Sequence, residues 1–240
     1  MTVQTDIKLA KNPQSPLSIV QPFNLIPPAD YQMLTVGMRG SGKTTFNRIL
    51  LQKVVGKRPI AILDSKPDDS LLIGRYFLSE RAVDIRKWNH QTHPVLVYRP
   101  QASELLDPKL MDNWLQSLYN MGHVLVYIDE LSALQQRYVQ RIGLINLMAR
   151  GRERNVNGKK IHTPLWLSSQ RPRAIPVQAY TEAMRVVAFD LGSDADRIEV
   201  SRDTHPELRL PPVYDHGFRV YDRRYKKPFH FKALSIGKSS

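Results

Sequence analysis

The chain has no cysteine among its 240 residues. That excludes a disulfide scaffold, thiolate zinc sites, iron–sulfur clusters and any cysteine nucleophile. Its seven histidines are scattered without an HExxH-type pair, so a histidine metal centre is not expected. Long apolar runs are also missing. The longest clean stretch, Val124 to Ile128, is far too short to span a bilayer. Met1 to Lys11 lacks the basic-then-apolar order of a secretion signal, so the expectation is a soluble, intracellular protein. Acidic residues are scarce beside basic ones, at 22 against 35, which leaves a net charge of +13.

That charge is concentrated. Arg150 to Arg173 holds seven basic residues against Glu153 alone, and Arg219 to Lys232 holds six against Asp222 alone. These segments carry +6 and +5 of the total, so the remainder is nearly balanced. Clustered Lys and Arg suit a polyanion, because neutralising phosphates releases condensed counterions. A solvated basic face that only aids solubility is the bland alternative. The candidates for nucleic-acid contact are Lys159, Lys160, Arg173, Arg223, Arg224, Lys226 and Lys227.

Five prolines between Pro13 and Pro28 forbid a regular helix there, so residues 1–30 are expected to form an extended arm, loose or packed along a neighbouring subunit. Short apolar runs then alternate with amphipathic ones over 31–212. Strands are expected at Met33–Val36, Pro59–Leu63, Val95–Tyr98, Val124–Ile128, Leu165–Ser168 and Val186–Phe189. Helices are expected from the glycine-rich turn to about Val54, over Leu105–Met121, and from about Ser132 to Ala149. Strands separated by helices predict an α/β fold with a mainly parallel sheet flanked by helices. Within 213–240, Phe218–Tyr221 and Phe229–Phe231 alternate around a basic turn and predict a terminal hairpin packed on the core.

Gly37-Met-Arg-Gly-Ser-Gly-Lys-Thr44 matches GxxxxGK[ST] in full, straight after a strand and opening a helix. Gly37, Gly40 and Gly42 let the backbone N–H groups, including that of Ser41, turn into one concavity suited to a β-phosphate. Lys43 then reaches the β- and γ-phosphates, Thr44 offers a hydroxyl to Mg²⁺, and Thr45 is placed for the α-phosphate. The predicted cofactors are therefore ATP and Mg²⁺. The apolar strand ending in Asp129 and Glu130 supplies a Walker B pair: Asp129 for the metal through a water, Glu130 to polarise the attacking water. Glu130 read instead as a helix N-terminal acid is the alternative. Pro164–Pro172 is another apolar strand with a polar end, which places Gln170 near the γ-phosphate as a sensor.

The ordered set Gly37–Thr45, Ala61-Ile-Leu-Asp-Ser-Lys66, Tyr127-Ile-Asp-Glu130, Ala149-Arg-Gly-Arg-Glu153 and Leu167-Ser-Ser-Gln-Arg-Pro172 resembles the FtsK–HerA superfamily. Within it, the likeness over roughly residues 31–200 is to the small genome-packaging ATPases of membrane-containing icosahedral viruses and related phages. The resemblance implies a RecA-like fold and a hexameric or pentameric homo-oligomeric ring that pumps double-stranded DNA into a capsid, docked at a vertex or portal-like protein. It also implies a location in the host cytoplasm or at the virion vertex, and an arginine that reaches the neighbouring subunit's site. Arg152 matches that arginine best, then Arg150, then Arg154. Other DNA-dependent motors of helicase or segregation type, and a nucleotide-binding vertex scaffold with little turnover, are the rival readings. Asp64 and Lys66 either line the nucleotide site or form a turn ion pair; Arg99 faces a neighbour or is a plain surface arginine.

Overall fold

A computed structural model describes residues 24–28, 30–134 and 141–234. The arm expected over 1–30 therefore lies outside the described residues apart from its last few. In chain order the elements are β1 (Met33–Val36), α1 (Lys43–Val54), β2 (Ile60–Leu63), β3 (Tyr76–Ser79), β4 (Val95–Tyr98), α2 (Ala102–Leu106), α3 (Pro108–Met121) and β5 (Leu125–Ile128). They continue with α4 (Ile142–Arg150), β6 (Arg154–Val156), β7 (Lys159–Ile161), β8 (Leu165–Ser169), α5 (Val177–Thr181), β9 (Arg185–Ala188), α6 (Asp194–Arg202), β10 (Phe218–Asp222) and β11 (Lys227–Phe231).

Nine strands form one sheet in the order β11-β10-β9-β1-β8-β5-β2-β4-β3. From β9 to β3 every pairing is parallel; β10 then runs antiparallel to β9, and β11 to β10. The inner strands are apolar on both faces because both are covered. Leu34, Leu63, Leu96, Val126 and Leu167 face α3 and α4, which contribute Met111, Trp114, Leu118 and Leu147. Met33, Ile62, Val97, Leu125 and Trp166 face the other way, against Phe46, Leu50 and Leu51 of α1. Trp88, Trp114 and Trp166 are all buried.

Two expected helices are divided. The stretch Leu105–Met121 breaks at Asp107, whose φ −82° and ψ 105° are extended, because Pro108 disfavours a helical residue before it. Asp107 instead caps α3, accepting the N–H groups of Lys109 at 2.9 Å and Leu110 at 3.1 Å. The helix expected from Ser132 opens as a 3-10 turn at Leu131–Leu134, and α4 begins only at Ile142. Arg141, extended just before it, donates to the carbonyls of Leu134 at 2.8 Å and Leu105 at 3.2 Å.

Strand β3 and the separate two-stranded sheet of β6 and β7 are not among the expected strands. The outer strand β3 is largely exposed and so lacks the buried face that periodicity reveals. The segment that carries Lys159 and Lys160 is a hairpin of β6 and β7, turned by Asn157 at φ 51° and Gly158 at φ 76°. The terminal hairpin does form, and through β10 it extends the main sheet.

Candidate functional site

The site is built at the C-terminal tips of β1, β2, β5 and β8, where a parallel sheet opens a crevice. Between β1 and α1 the glycines have separate jobs. Gly40 and Gly42 take left-handed conformations, φ 78° and 101°. A Cβ on Gly37 would lie 2.6 Å from Phe189 Cβ and 2.8 Å from Ser41 Oγ, so no side chain fits there. Met38 N–H donates to Asp190 O at 2.7 Å and Ser41 N–H to Met38 O at 3.3 Å, which fixes the loop. Helix α1 starts from Gly42 with no capping side chain and no acid in its first turn, unlike α3 and α6, whose Asp107 and Ser193 cap them. Its leading N–H groups are therefore presented to the cleft.

The cleft, about 970 Å³, is lined by Gly40, Gly42, Lys43, Thr44 and Thr45 on one side, with Asp129 and Gln170 beyond them. Lys66, Asp68 and Arg39 line it as well. Gly37 and Ser41 shape the loop without lining the cleft. Lys43 Nζ donates to Met38 O at 2.7 Å. Burial pulls its pKa down to about 8, with Lys66 adding to the effect and Glu130 and Asp129 opposing it.

Asp129 is held from beneath. Thr35 Oγ1 donates to Asn47 Oδ1 at 3.0 Å, Asn47 Nδ2 to Tyr127 OH at 3.1 Å, and Tyr127 OH to Asp129 Oδ1 at 2.7 Å. This buried relay ties the P-loop strand and α1 to the Asp129 carboxylate. Burial pushes Asp129 up to about 6, with Asp64, Glu130 and Asp68 adding to the rise and the Tyr127 bond resisting it. Thr44 and Asp129 supply only hard oxygen donors, and no group of three or more His, Cys, Asp or Glu among the described residues could hold a metal unaided. Two protein oxygens plus substrate phosphates is the donor set that suits Mg²⁺.

Glu130 is nearly sealed and densely bonded. Its Oε1 accepts Ser132 Oγ at 2.7 Å and Ser169 Oγ at 2.9 Å; its Oε2 accepts Gln170 N–H at 3.1 Å and Lys66 Nζ at 3.3 Å. Burial opposes its charge, but the Ser132, Ser169 and Gln170 bonds and the Lys66 cation hold its carboxyl below the usual range. Glu130 thus bonds the cleft residues Gln170 and Lys66, and its Oε1 also accepts Ser132 N–H at 3.3 Å in the 3-10 turn that follows. Gln170 lines the cleft and its backbone N–H bonds Glu130. Ser132, Ser169, Asn47 and Tyr127 were not anticipated as site residues. Hydroxyls and amides at strand tips carry no spacing signature; only the polar ends of apolar strands could have pointed to them.

Asp64 and Lys66 do not pair with each other. Asp64 accepts Arg99 Nε at 2.9 Å, and Arg99 also bonds Asp69 at 3.0 Å, so it is neither a free surface cation nor turned outward.

The arginines before β8 lie elsewhere. Helix α4 returns from the tip of β5 to the opposite edge of the sheet, so Arg150, Arg152 and Arg154 sit at the N-terminal ends of the strands. A strand of five residues puts them about 15 Å or more from the cleft of their own chain. Arg154 is committed internally: its guanidinium donates to Tyr119 O and Asn120 O and covers the Tyr119 ring. Arg152 is exposed, 3.3 Å from Met184 Sδ; Arg150 is exposed at the end of α4.

The candidate nucleic-acid residues divide similarly. Because β10 runs antiparallel, its turn with β11 falls at the same edge as Arg150 and the β6–β7 hairpin. Lys159, Lys160, Lys226 and Lys227 are exposed there, with Lys160 paired to Glu153 at 3.0 Å. Arg223 instead donates to Ala183 O and Tyr180 O at 2.9 Å, and Arg224 pairs with Asp222 at 3.0 Å. Both therefore have structural work that composition alone does not reveal. Arg173 is exposed beside Gln170 at the opposite, cleft edge.

No family model matches the sequence, and no curated protein matches it. Solved structures do. The genome packaging NTPase B204 of Sulfolobus turreted icosahedral virus 2, in complex with AMPPCP, aligns with a TM-score of 0.64 at 17% identity, over 86% of this chain and 99% of that one. The pCW3 conjugation coupling protein TcpA with ATPγS aligns at 0.55 and 16% identity, over 85% of this chain and 60% of its own. ATPases 2 and 3 of EssC from Geobacillus thermodenitrificans align at 0.56 and 11% identity, over 88% of this chain and 41% of theirs. No helix among the described residues is long and apolar enough to cross a membrane. With its parallel sheet, flanking helices and glycine loop, the chain has the α/β P-loop NTPase fold of these proteins.

Proposed function

We propose that this chain is a Mg²⁺-dependent ATPase of the FtsK–HerA type that moves double-stranded DNA, in the packaging of a viral genome. The observation that carries the reading is the convergence of the P-loop, Asp129 and Gln170 on one cleft, with buried Glu130 bonded to two of its lining residues, Gln170 through N–H and Lys66 through Nζ. The likeness to a packaging NTPase along nearly its whole length supports the same branch.

In this reading the loop N–H groups and Lys43 bind the triphosphate, and Thr44 and Asp129 would hold Mg²⁺. The metal, when bound, neutralises charge on the β- and γ-phosphate oxygens. Glu130 orients a water whose oxygen forms a bond to the γ-phosphorus as the bond from phosphorus to the ADP oxygen breaks. The water's proton passes to Glu130 and then to bulk solvent. Gln170, joined to Glu130 through its backbone, couples the state of the phosphate to β8 and the turn beyond it.

Arg152, or Arg150, completes a neighbour's site, since neither can reach the cleft of its own chain. Such a finger is worth roughly 10³–10⁵ in rate in related nucleotide hydrolases. The exposed lysines at that edge, Lys159, Lys160, Lys226 and Lys227, serve DNA phosphates, so binding is salt-dependent and nearly sequence-blind.

The test is steady-state ATP hydrolysis across a protein concentration series, with and without duplex DNA. Specific activity should rise steeply with concentration and with DNA, and fall to background in Glu130→Gln. Arg152→Ala should be inactive alone and recover on mixing with Glu130→Gln subunits. Flat, DNA-insensitive and negligible turnover with nucleotide binding retained would overturn the motor and favour a scaffold.

A further inference from the structure

Arg39 and Lys66 line the cleft without a task in the mechanism above, and of the two Lys66 is bonded to Glu130. Asp64, buried at the tip of β2, accepts Asp68 N–H at 3.0 Å and Arg99 Nε at 2.9 Å. Asp68 in turn accepts Ser70 N–H at 2.8 Å, and Arg99 holds Asp69 at 3.0 Å. These bonds make residues 64–70 a braced shelf along the cleft wall, and Lys66 stands on it.

Lys66 Nζ lies 3.3 Å from Glu130 Oε2, but the two ends of this pair are unlike: the lysine side chain is 54% exposed and the glutamate 2%. Glu130 has three other anchors, Ser132, Ser169 and Gln170 N–H, so it keeps its place without the lysine. Lys66 has a flexible stem and wet surroundings, and can swing to a stronger anion at little cost. Lys43 and Thr44 mark the β–γ end of a bound triphosphate, and Glu130 marks the water beyond its terminal phosphorus. A cation bonded to Glu130 is therefore on the terminal-phosphate side of the cleft.

We propose that Lys66 reads the terminal phosphate: it passes from Glu130 to a γ-phosphate oxygen of a nucleoside triphosphate, and finds no partner there in a diphosphate. This makes it a specificity-determining residue for triphosphate over diphosphate, and it releases Glu130 from its counter-charge only when there is a bond to hydrolyse. The inference rests on the ATPase reading of the cleft.

The test is calorimetric binding of AMPPCP and of ADP, each with Mg²⁺, to the full chain. Lys66→Met should weaken AMPPCP about tenfold, the worth of one hydrogen bond to a charged group, and leave ADP within about twofold. Lys66→Arg should restore most of the AMPPCP affinity. Glu130→Gln, which removes the competing anion, should tighten AMPPCP in the Lys66 background and not in Lys66→Met. Equal weakening of both ligands, or an unchanged ratio between them, would overturn the proposal while leaving the ATPase reading intact. Failure of the wild-type chain to bind either nucleotide would overturn both.

Discussion

The buried pair of Arg185 and Asp222 sets a measurable share of the stability of this fold. Asp222 ends β10 with no exposed surface, and its Oδ2 accepts Arg185 NH2 at 2.8 Å and Nε at 3.2 Å. Arg224 adds bonds at 3.0 and 3.1 Å from the half-exposed side. Arg185 reaches further, donating to the carbonyls of Asn24 at 3.1 Å and Leu25 at 2.7 Å, so one guanidinium joins β9, β10 and the segment before β1. Asp222→Asn leaves the Arg185 charge buried and uncompensated, a loss of about 3–5 kcal/mol. Arg224→Ala removes a partner that water can replace and should cost about 1 kcal/mol or less. Arg185→Met combined with Asp222→Leu removes both charges and should recover much of the single-variant loss. The sign of the pH dependence follows from the carboxylate. Burial opposes its ionisation, but the Arg224 and Arg185 bonds outweigh that and depress its pKa. Its contribution is therefore complete above the unfolded carboxylate pKa, near 4, and is lost as pH falls through the lower folded value. The gap between wild type and Asp222→Asn should close in acid. Urea unfolding followed by fluorescence of the three buried tryptophans reads these differences. If Asp222→Asn costs less than about 1 kcal/mol, or no more than Arg224→Ala, the assignment of this pair as an uncompensated-charge hazard is wrong.

The loop glycines should separate by mechanism. Gly37→Ala forces a Cβ against Phe189 and Ser41 and should weaken AMPPCP binding tenfold or more, on the order of the displacement of two loop N–H groups. Gly40→Ala meets nothing within 4 Å and incurs only the left-handed backbone cost of about 1–2 kcal/mol, so equal binding defects would refute the distinction. Lys43, pulled down to about 8, is mostly neutral at pH 8.5 and should take up roughly three-quarters of a proton when a phosphate raises its pKa again. Titration calorimetry in two buffers of different protonation enthalpy measures that uptake. Lys43→Arg, always charged, should show none, and equal uptake in both proteins would discard the lysine as its source.

The strands of this sheet were legible because burial on both faces leaves an unbroken apolar run, as in Val95–Tyr98 and Leu125–Ile128. Strand β3 was not, because an exposed edge strand has no core face to print a pattern. The P-loop and the Asp129–Glu130 pair were legible because phosphate binding demands fixed residue types at fixed spacing. The groups that tune them were not. Asn47 lies 80 residues from Tyr127, and Ser169 lies 39 from Glu130, so only the folded sheet brings them together. Charge composition does not reveal internal partners: Arg223 and Arg224 look like part of a phosphate-binding run, and in the fold backbone carbonyls and Asp222 hold them. The Asn157-Gly158 turn was a signal available in the sequence, since both residues take positive φ there and close a hairpin.

The sheet also explains why one chain should be a poor catalyst under the proposed reading. Parallel strands send every C-terminal tip to one edge, and there the P-loop, Asp129, Glu130 and Gln170 collect. The helix after β5 and the antiparallel β10 carry their cations to the other edge, where Arg150, Arg152, Lys159, Lys160, Lys226 and Lys227 stand. A strand length separates the two. Under that reading Arg152 or Arg150 can serve a phosphate cleft only in another copy. A contact between unlike edges is heterologous, and repeated with closure it gives a ring. Mixing inactive Arg152→Ala with inactive Glu130→Gln subunits tests that division directly, because activity can return only where an intact cleft meets an intact arginine across a subunit boundary.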